Sequence, residues 1–355
     1  MSGHDGRSLW HATLPPEERV ARPSLPGDTD ADVAIAGGGY TGLWTAYALK
    51  RADPTQRIVI CERETVGFGA SGRNGGWCSA LFAGNRAVTA ERYGRDAVIA
   101  MQRAMFETLD EIERVVAAEG IDCDWARGGT VQVATARAHV PHMMRELEDH
   151  RSWGFGADDY RILQPEDARA EIGCEPNFGA LFTPHCAALH PAKLVRALGR
   201  AVEALGVTIC EQTPVTAIEP GRLRTTHGDV RAEIVVRATE AFTPDLPELR
   251  RAIVPIYSLM IATEPLPEEF WTTAGLARRP TFTDFRRMII YGQRTADGRF
   301  AFGDRGAPYH FGSRVRPAFD VDTRVFGRLH DTLRALFPKL GDAAITHRWG
   351  GAVAV

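Results

Sequence analysis

A chain of 355 residues, 44% of them apolar and 25% charged, is long enough for two packed units and excludes disorder, collagen and coiled coil. Lysine and arginine number 42 against 45 acids and are scattered rather than striped, which points to a small-molecule partner and away from nucleic acid. Six cysteines (Cys61, Cys78, Cys123, Cys174, Cys186, Cys210) form no C-x-x-C pair, so they read as reduced thiols of a cytoplasmic protein, and no metal site is expected. Residues 1–30 are proline-rich (Pro15, Pro16, Pro23, Pro26), lack a charged-then-apolar leader, and read as an arm leading into the first domain. No apolar run reaches the roughly 18 residues of a membrane span.

The stretch DVAIAGGGYTGLWTAYALKRADPTQRIVICE, residues 32–62, holds the first dense pattern. A short apolar run is followed by Gly37, Gly39 and Gly42 in G-x-G-x-x-G spacing, a helical pattern over residues 41–52, and a second buried run over 58–61. The spacing has a mechanical reason. Gly37 permits a tight turn, Gly39 lets the backbone approach a pyrophosphate, and Gly42 lets helix and strand pack closely. The helix opening at Tyr40 and Thr41 offers its N–H groups to phosphates, and Glu62 is placed to accept from a ribose diol. NAD and FAD share that adenosine diphosphate, so the fingerprint leaves both open.

After Glu62 comes RETVGFGASGRNGGWCSA, with Gly67, Gly69, Gly72, Gly75 and Gly76 within ten residues. So much glycine implies backbone held close to something flat or anionic. Ser71, Arg73 and Asn74 add donors suited to pyrophosphate or to a flavin edge, with Arg63 and Ala70 in the same stretch. A solvated surface loop is the plain alternative.

GGGYTGLWTAYAL, CERETVGFGASGRNGG, ALHPAKLVRAL, VPIYSLMIATEPL and RTADGRFAFGDRGAPYHFGSR together resemble the FAD-dependent amine and amino-acid oxidases of the D-amino-acid oxidase and sarcosine oxidase superfamily, within it the γ-glutamylputrescine oxidase-like branch. The resemblance implies an α/β fold: a Rossmann-like FAD domain (residues 31–95 and 155–248) interleaved with an antiparallel-sheet substrate domain (96–154 and 249–345). It implies FAD as cofactor and an amine or amino acid as substrate, oxidised at its C–N bond. It also implies that Val215 backbone meets the adenine and that Ala238-Thr239 passes beneath the dinucleotide. Relatives commonly read Ala-Thr-Asn where this chain has Ala238-Thr239-Glu240, and Glu240 reads as a solvated loop acid. Residues 346–355 are expected to begin a strand returning to the FAD domain, and the family's closing segment, which faces the flavin's pyrimidine edge, is absent from the sequence.

Further along, Val98, Met101, Met105, Leu109, Ile112 and Val116 mark an amphipathic helix that stops before Gly120. Residues 128–136 alternate as a strand, and a polar helical stretch runs to Trp153. His190-Pro191 opens a helix that Gly206 closes. VTIC, TPVTAIE, RLRTTHGDVRA and EIVVRAT are short strands, with a turn at Gly228-Asp229. RRMIIYGQRTADGRFAFGD holds two alternating runs joined at Asp297-Gly298, a hairpin suited to the floor of a substrate pocket. Tyr257, Tyr291, Arg294, Arg305, Tyr309 and His310 are candidate pocket groups, because a guanidinium fork suits a carboxylate and a phenol or imidazole suits an amine. Tyr257 and Arg305 are expected at its centre, and His347 and Arg348 are further candidates. Each is individually also a common packing or solvated residue. Three readings remain open: a flavin oxidoreductase of amines or amino acids, a nicotinamide-dependent dehydrogenase, and a non-catalytic or fragmentary nucleotide-binding remnant.

Overall fold

In a computed structural model describing residues 8–354, the chain opens on the short helix α1 (Leu9–Ala12), capped by Ser8. Leu9 and Trp10 are buried and pack with Met260, Ala301 and Trp349. This corrects the reading of residues 1–30 as a lead-in arm: from Ser8 onward the segment enters the core, while residues 1–7 lie outside the described residues. A lone tryptophan has no periodicity to betray it, and its burial is decided by partners far along the chain.

Strand β1 (Thr29–Ala36), helix α2 (Tyr40–Ala52) and strand β2 (Ile58–Cys61) form the expected βαβ unit, with β1 and β2 parallel and in register from Val33↔Ile58 to Ala36↔Cys61. The strand order is Thr208–Cys210, β2, β1, Gly228–Arg237, Arg222–Thr225, Val215–Glu219. The first four run parallel, and Arg222–Thr225 pairs antiparallel with both of its neighbours. Alternate residues of β1 serve opposite faces. Val33 and Ile35 pack under α2 and the helix Pro191–Ala204, while Ala34 and Ala36 face a second cluster with Leu25, Leu223 and Val230. The turn joining Arg222–Thr225 to Gly228–Arg237 is Thr226-His227, because Thr225 already pairs with Gly228. Gly228 therefore starts the strand, and Gly228-Asp229 is not the turn. What reads as two strands, RLRTTHGDVRA and EIVVRAT, becomes one hairpin whose second arm is ten residues long.

The second sheet has eight strands in the order Ile345–Ala354, Pro255–Thr263, Phe300–Asp304, Ile290–Arg294, Thr281–Asp284, Thr130–Val133, Ala180–Thr183, Arg161–Leu163. The helix Thr323–Leu336 covers its back face through Val325, Phe326, Leu329 and Leu333 against Tyr257, Leu259, Ile261 and Phe302. Two expectations need correction. Strands at 161–163 and 180–183 fall in the segment assigned to the FAD domain, yet they pair in this larger sheet. Residues 345–354 do not return to the six-stranded sheet; they pair antiparallel with Pro255–Thr263 from Pro255↔Ala354 to Thr263↔Ile345. Strand membership is settled by long-range hydrogen bonding, which short apolar runs do not encode.

Candidate active site

At the carboxyl ends of β1 and β2 an open cleft is lined by Gly37, Gly39, Glu62, Arg63, Gly69, Ala70, Ser71, Val215, Ala238 and Thr239, with Phe68, Phe242 and Leu246. Gly37 has φ +111° and a Cβ there would lie 2.9 Å from the carbonyl carbon of Ala238, so only glycine makes this turn. A Cβ on Gly39 would sit 2.8 Å from Ser71 Oγ. No side chain caps α2 from Gly39; the Tyr40 amide donates to Ser71 Oγ at 3.0 Å and the Tyr40 phenol turns away to the Pro191 carbonyl, also 3.0 Å. The Tyr40 side chain is thereby turned from the cleft, and Gly42 has only main chain to offer a phosphate.

Glu62 accepts from the Gly38 amide at 2.7 Å and the Glu64 amide at 2.9 Å. Burial pushes its pKa up, opposed by those two amides. The amides fix the carboxylate's direction, and each oxygen keeps a lone pair for a ribose hydroxyl. Arg63 lies 4.4 Å over the Phe242 ring and pairs with Asp245 at 2.8 Å, forming one rim of the cleft. Glu240 is not merely a solvated acid: its Oε1 accepts from the Ala354 amide at 2.6 Å, tying the end of the last strand to the dinucleotide cleft.

The second glycine loop continues through α3 (Ala70–Arg73) and is clamped from several sides. Trp10 Nε1 donates to the Asn74 carbonyl (2.8 Å), Trp349 Nε1 to the Arg73 carbonyl (2.9 Å), and Gln293 Nε2 to the Gly75 and Gly76 carbonyls (2.7 and 3.0 Å). Two expected ligand donors are used inside the protein instead. Buried Arg73 pairs with buried Asp320 at 2.9 Å and donates to the Gly350 carbonyl at 3.1 Å. Asn74 donates to the Ala70 and Ser71 carbonyls and accepts from the Gly76 amide at 2.8 Å. Gly72 is buried in α3.

A Cβ on Gly75 would lie 2.9 Å from the Tyr291 ring, so the loop's backbone rests on that tyrosine. Tyr291 and Gln293 share one face of their strand. On the same face of Pro255–Thr263, across the intervening strand Phe300–Asp304, Ser258 Oγ lies 2.5 Å from the Tyr291 hydroxyl. Ile256 and Val353, paired in register on that face, are 36% and 38% exposed beside the loop. An uncovered apolar floor next to clamped glycine backbone suits one flat face of a ring system. Arg305 follows Gly303, the Tyr291 partner, and is exposed; among the described residues it forms no ion pair.

The remaining expected pocket groups are elsewhere. Tyr257 faces the back of the sheet, where its hydroxyl accepts from the Arg316 amide at 3.0 Å and donates to the Arg316 carbonyl at 3.3 Å. His310 stacks on Phe319 at 3.6 Å in the same back-face cluster. Arg294 lies on the face opposite Tyr291, paired with Glu268 at 3.0 Å and 4.5 Å over Trp271. Tyr309 is exposed near Ser313, His347 contacts Thr346, and Arg348 donates to the Ile345 carbonyl. Of the expected pair, Arg305 is exposed near the Tyr291 face and Tyr257 packs on the back of the sheet. Ser258 and Gln293 were missed; their period-2 spacing with Met260 and Tyr291 was the available signal.

A parallel βαβ nucleotide cleft whose second glycine loop is clamped onto a large mixed sheet defines a flavoprotein oxidoreductase. The chain belongs to the FAD dependent oxidoreductase family, whose pattern matches residues 32–355, and FAD is its cofactor. It is 30% identical over 327 residues to gamma-glutamylputrescine oxidoreductase of Escherichia coli, covering 90% of this chain and 73% of that protein. It is 26% identical over 340 residues to the probable oxidoreductase OrdL of Haemophilus influenzae, covering 93% and 75%. In structure it is similar to glycine oxidase from Geobacillus kaustophilus (TM-score 0.69, 23% identity, 92% and 83% covered). It is also similar to L-proline dehydrogenase from P. horikoshii (TM-score 0.72, 18% identity, 93% and 82% covered). The enzyme is thus an FAD-dependent oxidoreductase of the amine and amino-acid oxidase type. No helix among the described residues is long and apolar enough to cross a membrane.

Proposed function

We propose that the enzyme oxidises the C–N single bond of an amine or amino acid to C=N, with molecular oxygen as final acceptor. The observation that carries this reading is the front face of the large sheet, where Tyr291 meets the Gly75 backbone and Ile256 and Val353 leave an apolar floor. Bound FAD would supply the acceptor for a hydride from the substrate Cα. The protein's share is to hold the amine with that Cα–H directed at the cofactor and to meet the positive charge that grows on nitrogen. Tyr291 is the polar group at that floor, and Arg305, exposed beside it, suits a substrate carboxylate. Two electrons and two protons passing to oxygen would give hydrogen peroxide, and water hydrolyses the released imine to a carbonyl compound and ammonia from a primary amine, or an amine from a secondary one. Gly37, Gly39, Glu62, Ser71, Val215, Ala238 and Thr239 would hold the adenosine diphosphate half, and Gly69, Ala70, Gly75 and Gly76 the flavin half. The names of the relatives, which include gamma-glutamylputrescine oxidoreductase, sarcosine oxidase subunit beta and glycine oxidase, support the substrate class. The test is peroxide production by FAD-loaded protein over a panel of primary amines, secondary amines and amino acids. Peroxide formation that depends on one of these classes is the expected result; a protein that reduces its flavin only with a non-amine donor would overturn the reading.

A further inference from the structure

The hydroxyl of Ser258 has two oxygen neighbours, the Asp304 main-chain carbonyl at 2.9 Å and the Tyr291 hydroxyl at 2.5 Å. A carbonyl can only accept and a serine has one proton, so Ser258 donates to Asp304 and the Tyr291 O–H must donate to Ser258. The carbonyl is itself fixed, because Asp304 lies in a strand paired on both sides with Leu259 and Ile290. Its carboxylate is held on the other face of the sheet by Arg328 at 2.7 Å. The direction of the chain is therefore set by the backbone. Tyr291 is left with lone pairs and no proton to give, and burial pushes its pKa up to about 12, so it stays a neutral phenol.

Resting on the proposed amine chemistry, we infer that Ser258 is a positioning residue that fixes Tyr291 as an acceptor, so that the site selects primary and secondary amines through an N–H and rejects tertiary amines, ethers and thioethers. A neutral amine oxidised by hydride loss uses its nitrogen lone pair to form the new C=N bond, and the product iminium keeps its N–H. A phenol that donated to that lone pair would block the reaction and face a growing positive charge. A phenol that accepts from the N–H leaves the lone pair free, and its hydrogen bond strengthens as the charge develops, which is stronger binding in the transition state than in the ground state. A neutral tertiary amine has no N–H to offer.

The experiment compares FAD-loaded wild type with Ser258→Ala and Ser258→Thr. Binding is read from the flavin absorption spectrum and turnover from peroxide, with n-butylamine, N-methylbutylamine, N,N-dimethylbutylamine and methyl butyl sulfide as probes. The wild type should bind and oxidise the first two and take neither of the others. In Ser258→Ala the Tyr291 proton is released to seek another acceptor. Turnover of n-butylamine should fall about tenfold in kcat with its KM little changed, while the sulfide binds about tenfold more tightly. Ser258→Thr, which keeps the hydroxyl, should restore both. Oxidation of the tertiary amine by wild type as fast as the primary one, or sulfide affinity unchanged in Ser258→Ala, overturns the inference while leaving amine oxidation standing. Failure of wild type to bind any of the amines overturns both.

Discussion

Gln293 holds Gly75: its side-chain Nε2 donates to the Gly75 carbonyl at 2.7 Å, with the Gly76 carbonyl at 3.0 Å and the Leu189 carbonyl at 3.3 Å from the same nitrogen. One buried amide of the eight-stranded sheet thus sets the path of the second glycine loop. Gln293→Glu is nearly isosteric but turns a carboxylate oxygen onto three carbonyls. The expected cost is about 3 kcal/mol or more for a buried, unpaired charge, appearing first as lost FAD, read from the ratio of flavin to protein absorbance. Retention of stoichiometric FAD would show that the loop is held without this contact.

Gly39→Val should give apoprotein that still folds. Its Cβ alone would lie 2.8 Å from Ser71 Oγ, and the rest of the side chain would fill the approach to α2. Added FAD should raise the melting temperature of the wild type and leave that of the variant unchanged. NAD should shift neither.

Arg73 and Asp320 form an ion pair in which each side chain is 6% exposed. Asp320→Ala strands a buried guanidinium and should cost about 3–5 kcal/mol, whereas Arg73→Met with Asp320→Ala should recover part of that loss. Urea denaturation of the two variants checks the order. Equal destabilisation would mean that the Gly350 carbonyl alone is enough to hold Arg73.

His150 and His190 are buried, and desolvation holds each imidazole's pKa down at about 4. Unfolding exposes both to their ordinary value near 6.5, so the unfolded chain binds protons that the folded one refuses. Their contribution to stability is full above about pH 6.5 and is lost as pH falls toward 4. His190→Gln should reduce proton uptake on unfolding at pH 5 by about one proton, measured as the slope of stability against pH. An unchanged slope would show that His190 is charged in the folded protein.

Arg305→Lys should weaken amino-acid substrates about tenfold more than simple amines, since lysine cannot reproduce the guanidinium fork. Arg294→Lys, on the opposite face and already paired with Glu268, should alter neither class. Steady-state kinetics on one amine and one amino acid distinguish the two arginines; equal losses for Arg305→Lys would assign it to the fold alone.

The nucleotide half of the site was legible because it is local. The β1–α2–β2 unit, its three glycines and Glu62 lie within residues 29–62, and each requirement there, a tight turn, a close backbone approach and an acid at a strand end, is met by one residue type at one spacing. The hairpin Ile290–Arg294 to Phe300–Asp304 was legible for the same reason, its alternation and its Asp297-Gly298 turn being short-range. Which face each of its side chains takes was another matter. Alternation puts Tyr291 and Arg294 on opposite faces, but only the docking of helix Thr323–Leu336 decides which face is core and which meets the glycine loop. That choice turned Tyr257 inward, left Arg305 outward and brought Ser258 to Tyr291. The fate of Arg73, Asn74 and Glu240 was likewise tertiary. A polar group in a glycine loop can serve a ligand or the loop itself, and the outcome depends on partners such as Asp320, Gly350 and Ala354, which reach it only once the large sheet has assembled.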